Sequence, residues 1–350
     1  MRQKALADSA AVVANGGPSF AIVGDDDAAR GAAYATSQTP GVKAVFTAAV
    51  VVVYQQPQGI GAALQQLRNM LATVLVVDNA EQPCPGLRET THELQCSYLH
   101  GANVGGLAGA YNSALTWLKV HQPAAQQVVF LDEDSDPASL AAFLQDGHTR
   151  AALARSDTAA VSPAYRDRAT GLRGRYMWLQ RFKLGFNPRE FSDLRDVAFL
   201  INSMSVWRLA AIAHIGAFNE GLAVDHVDTE FCLRARQQGL HLYVNGSFEF
   251  PHSIGERKRY KFFGMEVQAG GHTPQRRYMI GRNTAWLARR WLLREPAFAA
   301  LCAARLVYEA VGISLAEPRA GAKLWALARG VASGLFVPIH IRRRCRERPP

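Results

Sequence analysis

The segment Leu131-Asp132-Glu133-Asp134-Ser135-Asp136-Pro137 sets four carboxylates into five positions, directly after the apolar run Val128-Val129-Phe130-Leu131. Such a run reads as a buried strand. Acids just past a strand's carboxyl end stand where open α/β sheets take ligands. Asp132 and Asp134 are two apart, so extended backbone turns both to one side. Two hard oxygen ligands facing one way suit Mg²⁺ or Mn²⁺, and such an ion can also hold a diphosphate. Asp136-Pro137 reads as the cap and first residue of a helix. The competing reading is a capped, acidic surface loop.

Three more features fall at strand ends. Tyr54 closes the apolar run 44–54, and Asp78-Asn79 closes the strand read over 73–77. Asn103-Val104-Gly105-Gly106 leads into a helix, whose first amides could meet an anion. Together they would line one rim of a sheet, with a nucleotide base near Tyr54 and Asp78 and its diphosphate on the metal. Taken alone, Asp78-Asn79 is a turn and Gly105-Gly106 a loop.

The elements that must position these residues alternate. Strands are read over 44–54, 73–77, 95–99 and 127–131, with helices over 59–71 and 105–120 between them. That alternation implies a doubly wound, mostly parallel sheet with flanking helices. Further strands are expected over 159–163, 199–206, 240–245 and 247–250. Helices are expected over 208–214 and 229–238, and the aromatic stretch 171–196 reads as an irregular binding loop. From Tyr278 the pattern is helical and rich in arginine. The resulting division is an extension of unknown role (1–42), an α/β region (43–275, split at 137/138) and a helical, basic C-terminal region (276–350).

The chain has 350 residues, 49% hydrophobic and 19% charged, so a packed core is expected. Its net charge is +10, and Arg342-Arg343-Arg344-Cys345-Arg346-Glu347-Arg348 forms a polybasic tail. Such clusters favour nucleic acid or anionic lipid. No nucleic-acid motif accompanies it, so lipid is the expectation, supported by interleaved Trp, Leu and Arg over 286–294. Five cysteines without a CxxC pair indicate reduced thiols in a cytosolic setting. The sequence opens without a secretory pattern, and no uninterrupted apolar stretch of transmembrane length is read.

In order, a strand ending near Tyr54, then VVDN (76–79), NVGG (103–106) and LDEDS (131–135) resemble the nucleotide-sugar half of a GT-A glycosyltransferase of family 2. The segments Ile215-Gly216-Ala217-Phe218-Asn219-Glu220, Asp225 to Arg236, and His272 to Tyr278 followed by Arg282-Asn283 resemble bacterial rhamnosyltransferases of that family. The likeness runs from about Val42 to Trp291. It implies Asp132 and Asp134 as metal ligands, Asp78 at the nucleotide base and Asp228 as catalytic base. It also implies that His252 completes the metal site and that Arg276 and Arg277 lie near phosphates of donor or acceptor. Tyr54, Asn79, Asn103 and Gly105 would join the donor site. Asp228 precedes a helix and could instead cap it, and Asp225 and Glu230 are rival bases. Gln55-Gln56-Pro57 and Glu133 depart from the usual pattern, as do the roughly 40 residues before the first strand.

The implied reaction is an inverting, metal-dependent transfer of L-rhamnose from dTDP-L-rhamnose to a glycan or lipid-linked acceptor. The alternatives are a UDP-sugar donor such as UDP-galactofuranose or UDP-hexose, and a silent glycan-binding scaffold. The expected location is cytoplasmic, peripheral on the inner face of the bacterial plasma membrane, with nucleic acid not expected as a partner and a homo-oligomer left open.

Overall fold

The computed structural model describes residues 45–55, 59–253, 258–262, 265–269 and 271–338. The expectations for the N-terminal extension and the polybasic tail lie outside these residues. Chain contacts divide the protein into two compact units. One comprises Lys43–Ile254 with Arg294–Phe298; the other contains Gly255–Leu293 and Ala299–Pro338.

The first unit is built on an eight-stranded sheet in the order β3-β2-β1-β4-β9-β5-β10-β8. Its strands are β1 (Thr47–Val53), β2 (Thr73–Asp78), β3 (Ser97–His100), β4 (Gln127–Asp132), β5 (Thr158–Asp167), β8 (Leu194–Asp196), β9 (Val206–Arg208) and β10 (His241–His252). A short hairpin, β6 (Met177–Gln180) with β7 (Lys183–Phe186), stands apart from it. Every residue of β1 and β2 is buried, as covered parallel strands require. β1 pairs in parallel with β2 and β4, β2 with β3, and β5 with β10. β9 runs antiparallel to both β4 and β5, which leaves those two parallel to each other. Six strands therefore end on one rim. The order reverses between β1 and β4, the crevice where doubly wound sheets bind ligands.

Helices α1 (Ile60–Met70), α2 (Leu87–Glu93), α3 (Gly106–His121), α4 (Leu140–Gln145), α5 (Gly147–Ala154), α6 (Leu209–Ile215) and α7 (Val227–Gln237) flank the sheet. In α1, Ile60, Leu64 and Leu67 are buried, the stripe of an amphipathic helix. Tyr111, Phe130, Phe218 and Phe231 stack through the core, with Phe218 and Phe231 centroids 3.9 Å apart.

Three local expectations change. Asp136-Pro137 does not open a helix: Asp136 Oδ1 accepts from Ala138 N at 3.0 Å and α4 starts at Leu140. Residues 199–205 are not a strand. Their amides go elsewhere, Leu200 to Cys232 Sγ and Met204 to the Phe130 carbonyl, and Met204 has φ 62°. The stretch 171–196 is not wholly irregular, because it holds β6, β7 and β8.

The second unit holds the hairpin β11 (Lys258–Phe262) with β12 (Met265–Ala269). It also holds α8 (Pro274–Trp291), most of α9 (Pro296–Ala316) and α10 (Ala320–Phe336). Thr273 caps α8 by accepting from Arg276 N, with Pro274 at the first helical position. α8 and α10 meet backbone to backbone. A Cβ at Gly330 would lie 2.1 Å from the Tyr278 carbonyl oxygen, one at Gly334 2.1 Å from that of Arg282, and one at Gly281 2.5 Å from that of Leu327. From the Tyr278/Gly330 pair to the Arg282/Gly334 pair both helices advance by four residues, so α8 and α10 run in the same direction. Among the described residues, α9 is the one helix long and apolar enough to cross a membrane.

Candidate active site

The parallel strands deliver Tyr54, Asp78, Asp132, Asp167 and His252 to one rim of the sheet. Asp132 is the last residue of β4 and pairs in register with Val52 of β1. Its backbone amide donates to Ser135 Oγ at 2.9 Å, and Ser135 Oγ meets Ser203 Oγ at 2.8 Å, which fixes the turn carrying the acids. Burial, then the charge of Asp134, pushes the Asp132 carboxyl up to about 6, against a hydrogen bond to Ser203.

Glu133, between the two aspartates, ties the acidic turn to the start of the β1 loop. Its Oε2 accepts from Tyr54 N and from Gln55 N, both at 2.7 Å. This explains a glutamate here in place of an uncharged residue: one carboxylate oxygen satisfies two adjacent amides. Asp134 is about half exposed. Arg168, just past the end of β5, donates to the Asp134 carbonyl at 3.0 Å and lies 4.0 Å from its carboxylate.

Asp228 lies inside the first turn of α7, because the helix starts at Val227. The N-cap position belongs to His226, at φ 65° and without a side-chain cap bond. The capping alternative for Asp228 therefore fails. Its carboxylate turns to Asn202, accepting from Nδ2 at 2.7 Å and from the backbone N at 3.3 Å. Burial, then the charge of Asp132, pushes it up to about 7, against the Asn202 amide. Tyr111, fully buried, has its hydroxyl pushed well above its usual range by burial, then by the charges of Asp132 and Asp228. Glu230 drops out as a rival base: it is 2% exposed and meets Arg234 Nε through both oxygens, at 2.9 and 3.0 Å. Asp225 is partly buried on the turn before α7.

The remaining expected residues divide. Asp78 is fully buried, and its oxygens accept from Ala80 N (3.3 Å), Cys84 N (2.7 Å) and Tyr98 Oη (2.8 Å). It thereby holds the turn after β2. Asn79 Nδ2 reaches Asn103 Oδ1 at 3.4 Å, joining two rim loops. The anion seat expected at the start of α3 is filled from within the chain. Gly106 N donates to the Asn103 carbonyl and Leu107 N to that of Ala223. Gly105 and Gly106 have positive φ, and a Cβ at Gly106 would lie 2.5 Å from the Ala223 oxygen. These glycines serve close packing.

His252 is half-buried, with its ring near Tyr165 and Phe250. Burial lowers its pKa, Asp134 opposes, and Arg168 adds to the lowering. Among the described residues no three His, Cys, Asp or Glu side chains form a closed metal-holding group, but the charge of Asp134 acts on both Asp132 and His252. Arg277 is engaged within the chain. It is 1% exposed in the second unit and paired with Glu309 and Glu317, while Lys323 Nζ meets Glu317 at 2.8 Å. Arg276 lies partly buried one residue before it.

Sequence reasoning missed Asn202, Tyr111, Ser203 and Arg168. Asn202-Ser203 interrupts an apolar run, which is a polar signal inside a buried segment. Arg168 follows directly on the end of a strand, the same positional signal that flagged Asp78.

The parallel rim, the order reversal beside Asp132 and the flanking helices make a doubly wound sheet of the GT-A type, and the chain is an enzyme of the glycosyltransferase class. It is similar to dTDP-rhamnosyl transferase RfbF of Shigella flexneri, 25% identical over 253 residues, covering 69% of this chain and 79% of that protein. No family model matches the sequence. Among solved structures it matches GalNAc-T7 with UDP, GalNAc and Mn²⁺ at TM-score 0.43 and 13% identity, over 71% of this chain and 51% of that one, so it spans about half that protein's length. It also matches glucosyl-3-phosphoglycerate synthase from Mycobacterium tuberculosis with Mn²⁺ and UDP at TM-score 0.35 and 10% identity, over 65% of this chain and 79% of that one.

Proposed function

We propose that the enzyme transfers L-rhamnose from dTDP-L-rhamnose, with inversion and with a divalent ion, to a polysaccharide or lipid-linked acceptor at the inner face of the bacterial plasma membrane. The observation that carries this reading is Asp228: a carboxylate oriented by two Asn202 donors, close enough to Asp132 to feel its charge, and titrating near neutral pH. A general base works best with a pKa near the operating pH. The similarity to a dTDP-rhamnosyl transferase supports the donor.

Asp132 and Asp134 fit Mg²⁺ or Mn²⁺. They are hard oxygen donors, and their mutual repulsion is what a cation relieves. The donor diphosphate would supply further oxygen donors to the ion. When bound, the ion would neutralise charge growing on the departing diphosphate. Asp228 takes the proton of the acceptor hydroxyl as that oxygen attacks the anomeric carbon. Asn202 keeps the carboxylate turned to the acceptor side. Asp78 shapes the base pocket by fixing the turn after β2, and Tyr54 borders it, held through Glu133. Glycosyl transfer passes through an oxocarbenium-like state, and one carboxylate with one cation suffices for single displacement.

Calorimetric titration with dTDP and UDP, each with Mn²⁺, Mg²⁺ or EDTA, tests the donor. Metal-dependent binding that prefers dTDP is expected. A preference for UDP would move the donor to a UDP-sugar, and no binding to either would favour a silent scaffold. Asp228→Asn is expected to abolish transfer with dTDP affinity retained, and persistent turnover would end its assignment as base.

A further inference from the structure

The second unit ends in an apolar tip. Because α8 and α10 run in the same direction, their carboxyl ends come together, and Arg289 of α8 donates to the Leu335 carbonyl near the end of α10. Around this point the large apolar side chains face outward: Leu293 is 83% exposed and Phe336 80%, with Leu292, Leu335 and Val337 beside them in sequence at 40–55%. Arg289 and Arg290 are exposed on the last turn of α8. Past Val337 the sequence runs within a few residues into Arg342, Arg343, Arg344, Arg346 and Arg348.

We infer that this tip is a docking element for an anionic lipid bilayer: Leu292, Leu293, Leu335, Phe336 and Val337 enter the acyl boundary while Arg289 and Arg290 meet headgroup phosphates. Neither element suffices alone. A few apolar side chains give weak, reversible attachment, and a basic cluster gives attachment that salt removes. The pairing of the two is what stable peripheral binding takes. Arginine stems can also lie along apolar surface while the guanidinium stays at the headgroups. Charge complementarity selects lipid over a second copy of the chain. A two-fold contact through the tip would set Arg289 and Arg290 against their own copies in a protein already at +10, whereas an anionic leaflet neutralises them.

The inference deepens the membrane-surface reading and rests on it, but its test is separate from the donor. Full-length protein is floated with vesicles of phosphatidylcholine alone and with added phosphatidylglycerol. Wild type is expected on the anionic vesicles and to be released by high salt. The double variant Leu293→Ser/Phe336→Ser is expected to bind them about tenfold or more weakly. Arg289→Gln/Arg290→Gln is expected to weaken binding and flatten its salt dependence. All variants should keep the wild-type melting temperature and, in solution, its dTDP affinity. Equal vesicle binding by wild type and the tip variant would overturn the inference, as would no preference for anionic lipid. So would a tip variant that turns a dimer into a monomer in light scattering without losing vesicle binding. A failure of dTDP binding in wild type would instead strike the transferase reading and leave the vesicle result standing.

Discussion

Asp228→Asn should cost the enzyme its turnover and make it more stable above neutral pH. The Asp228 carboxyl titrates near 7 in the folded protein against a reference of 3.8. A raised carboxylate pKa reverses the usual sign. Between those values the folded state holds a proton that the unfolded chain has released, so stability falls as pH rises through the window. The full deficit above pH 7 is about 4 kcal/mol for complete burial, at about 1.4 kcal/mol per pKa unit. The partial exposure of Asp228 brings it to about 2–4 kcal/mol. Asparagine does not titrate and removes this term. It also turns an amide NH₂ toward one of the two Asn202 donors, a loss of about 1–2 kcal/mol at every pH. The decisive quantity is therefore the change in the variant–wild-type difference between pH 5 and pH 8, expected at about 1–2 kcal/mol in favour of the variant, since part of the deficit is already present at pH 5. Urea unfolding at both pH values in EDTA measures it. A difference that does not change with pH would mean that Asp228 is ionised with an ordinary pKa, and the argument for a base poised near neutrality would collapse.

Other expectations follow from single contacts. Removing the cation beside Asp134 with Arg168→Ala should tighten Mn²⁺ binding about two- to fivefold, as loss of a half-exposed pair implies; calorimetry that shows weaker Mn²⁺ binding would contradict this. Glu133→Ala frees two amides and should weaken dTDP binding about tenfold, whereas Glu133→Gln, which keeps an accepting oxygen, should recover most of it. Gly330→Val should lower stability by about 3 kcal/mol or more in thermal melts, since its Cβ would meet the Tyr278 carbonyl. Gly321→Ala in the same helix, with nothing within 4 Å, should leave stability unchanged or slightly raised.

The parallel half of the sheet was legible because β1, β2 and β4 are buried on both faces and so appear as unbroken apolar runs. The same cue misled over 199–205. Burial makes a segment apolar whatever its hydrogen bonds, and there the amides turn to Cys232, Asp228 and Phe130 instead of a ladder. At Gly105-Gly106 the left-handed backbone was readable, but its cause, the Ala223 carbonyl, lies more than a hundred residues away. Arg277 looked like a phosphate ligand because its partners Glu309 and Glu317 sit beyond the motif that carries it. The pairing of Asn202 with Asp228 depends on how the 199–205 turn meets α7, which no local pattern encodes.

The bridge from Glu133 to the Tyr54 and Gln55 amides has a thermodynamic corollary. It makes the position of the loop after β1 depend on the turn after β4, and the reverse. On the proposed donor site, a cation that orders Asp132 and Asp134 would then also order Tyr54 and Gln55. By reciprocity, whatever factor the ion adds to nucleotide affinity the nucleotide must add to ion affinity. One glutamate oxygen would thus add a second coupling between the two ligands, beside the diphosphate's direct contact with the ion, and its removal would weaken their cooperativity without abolishing it.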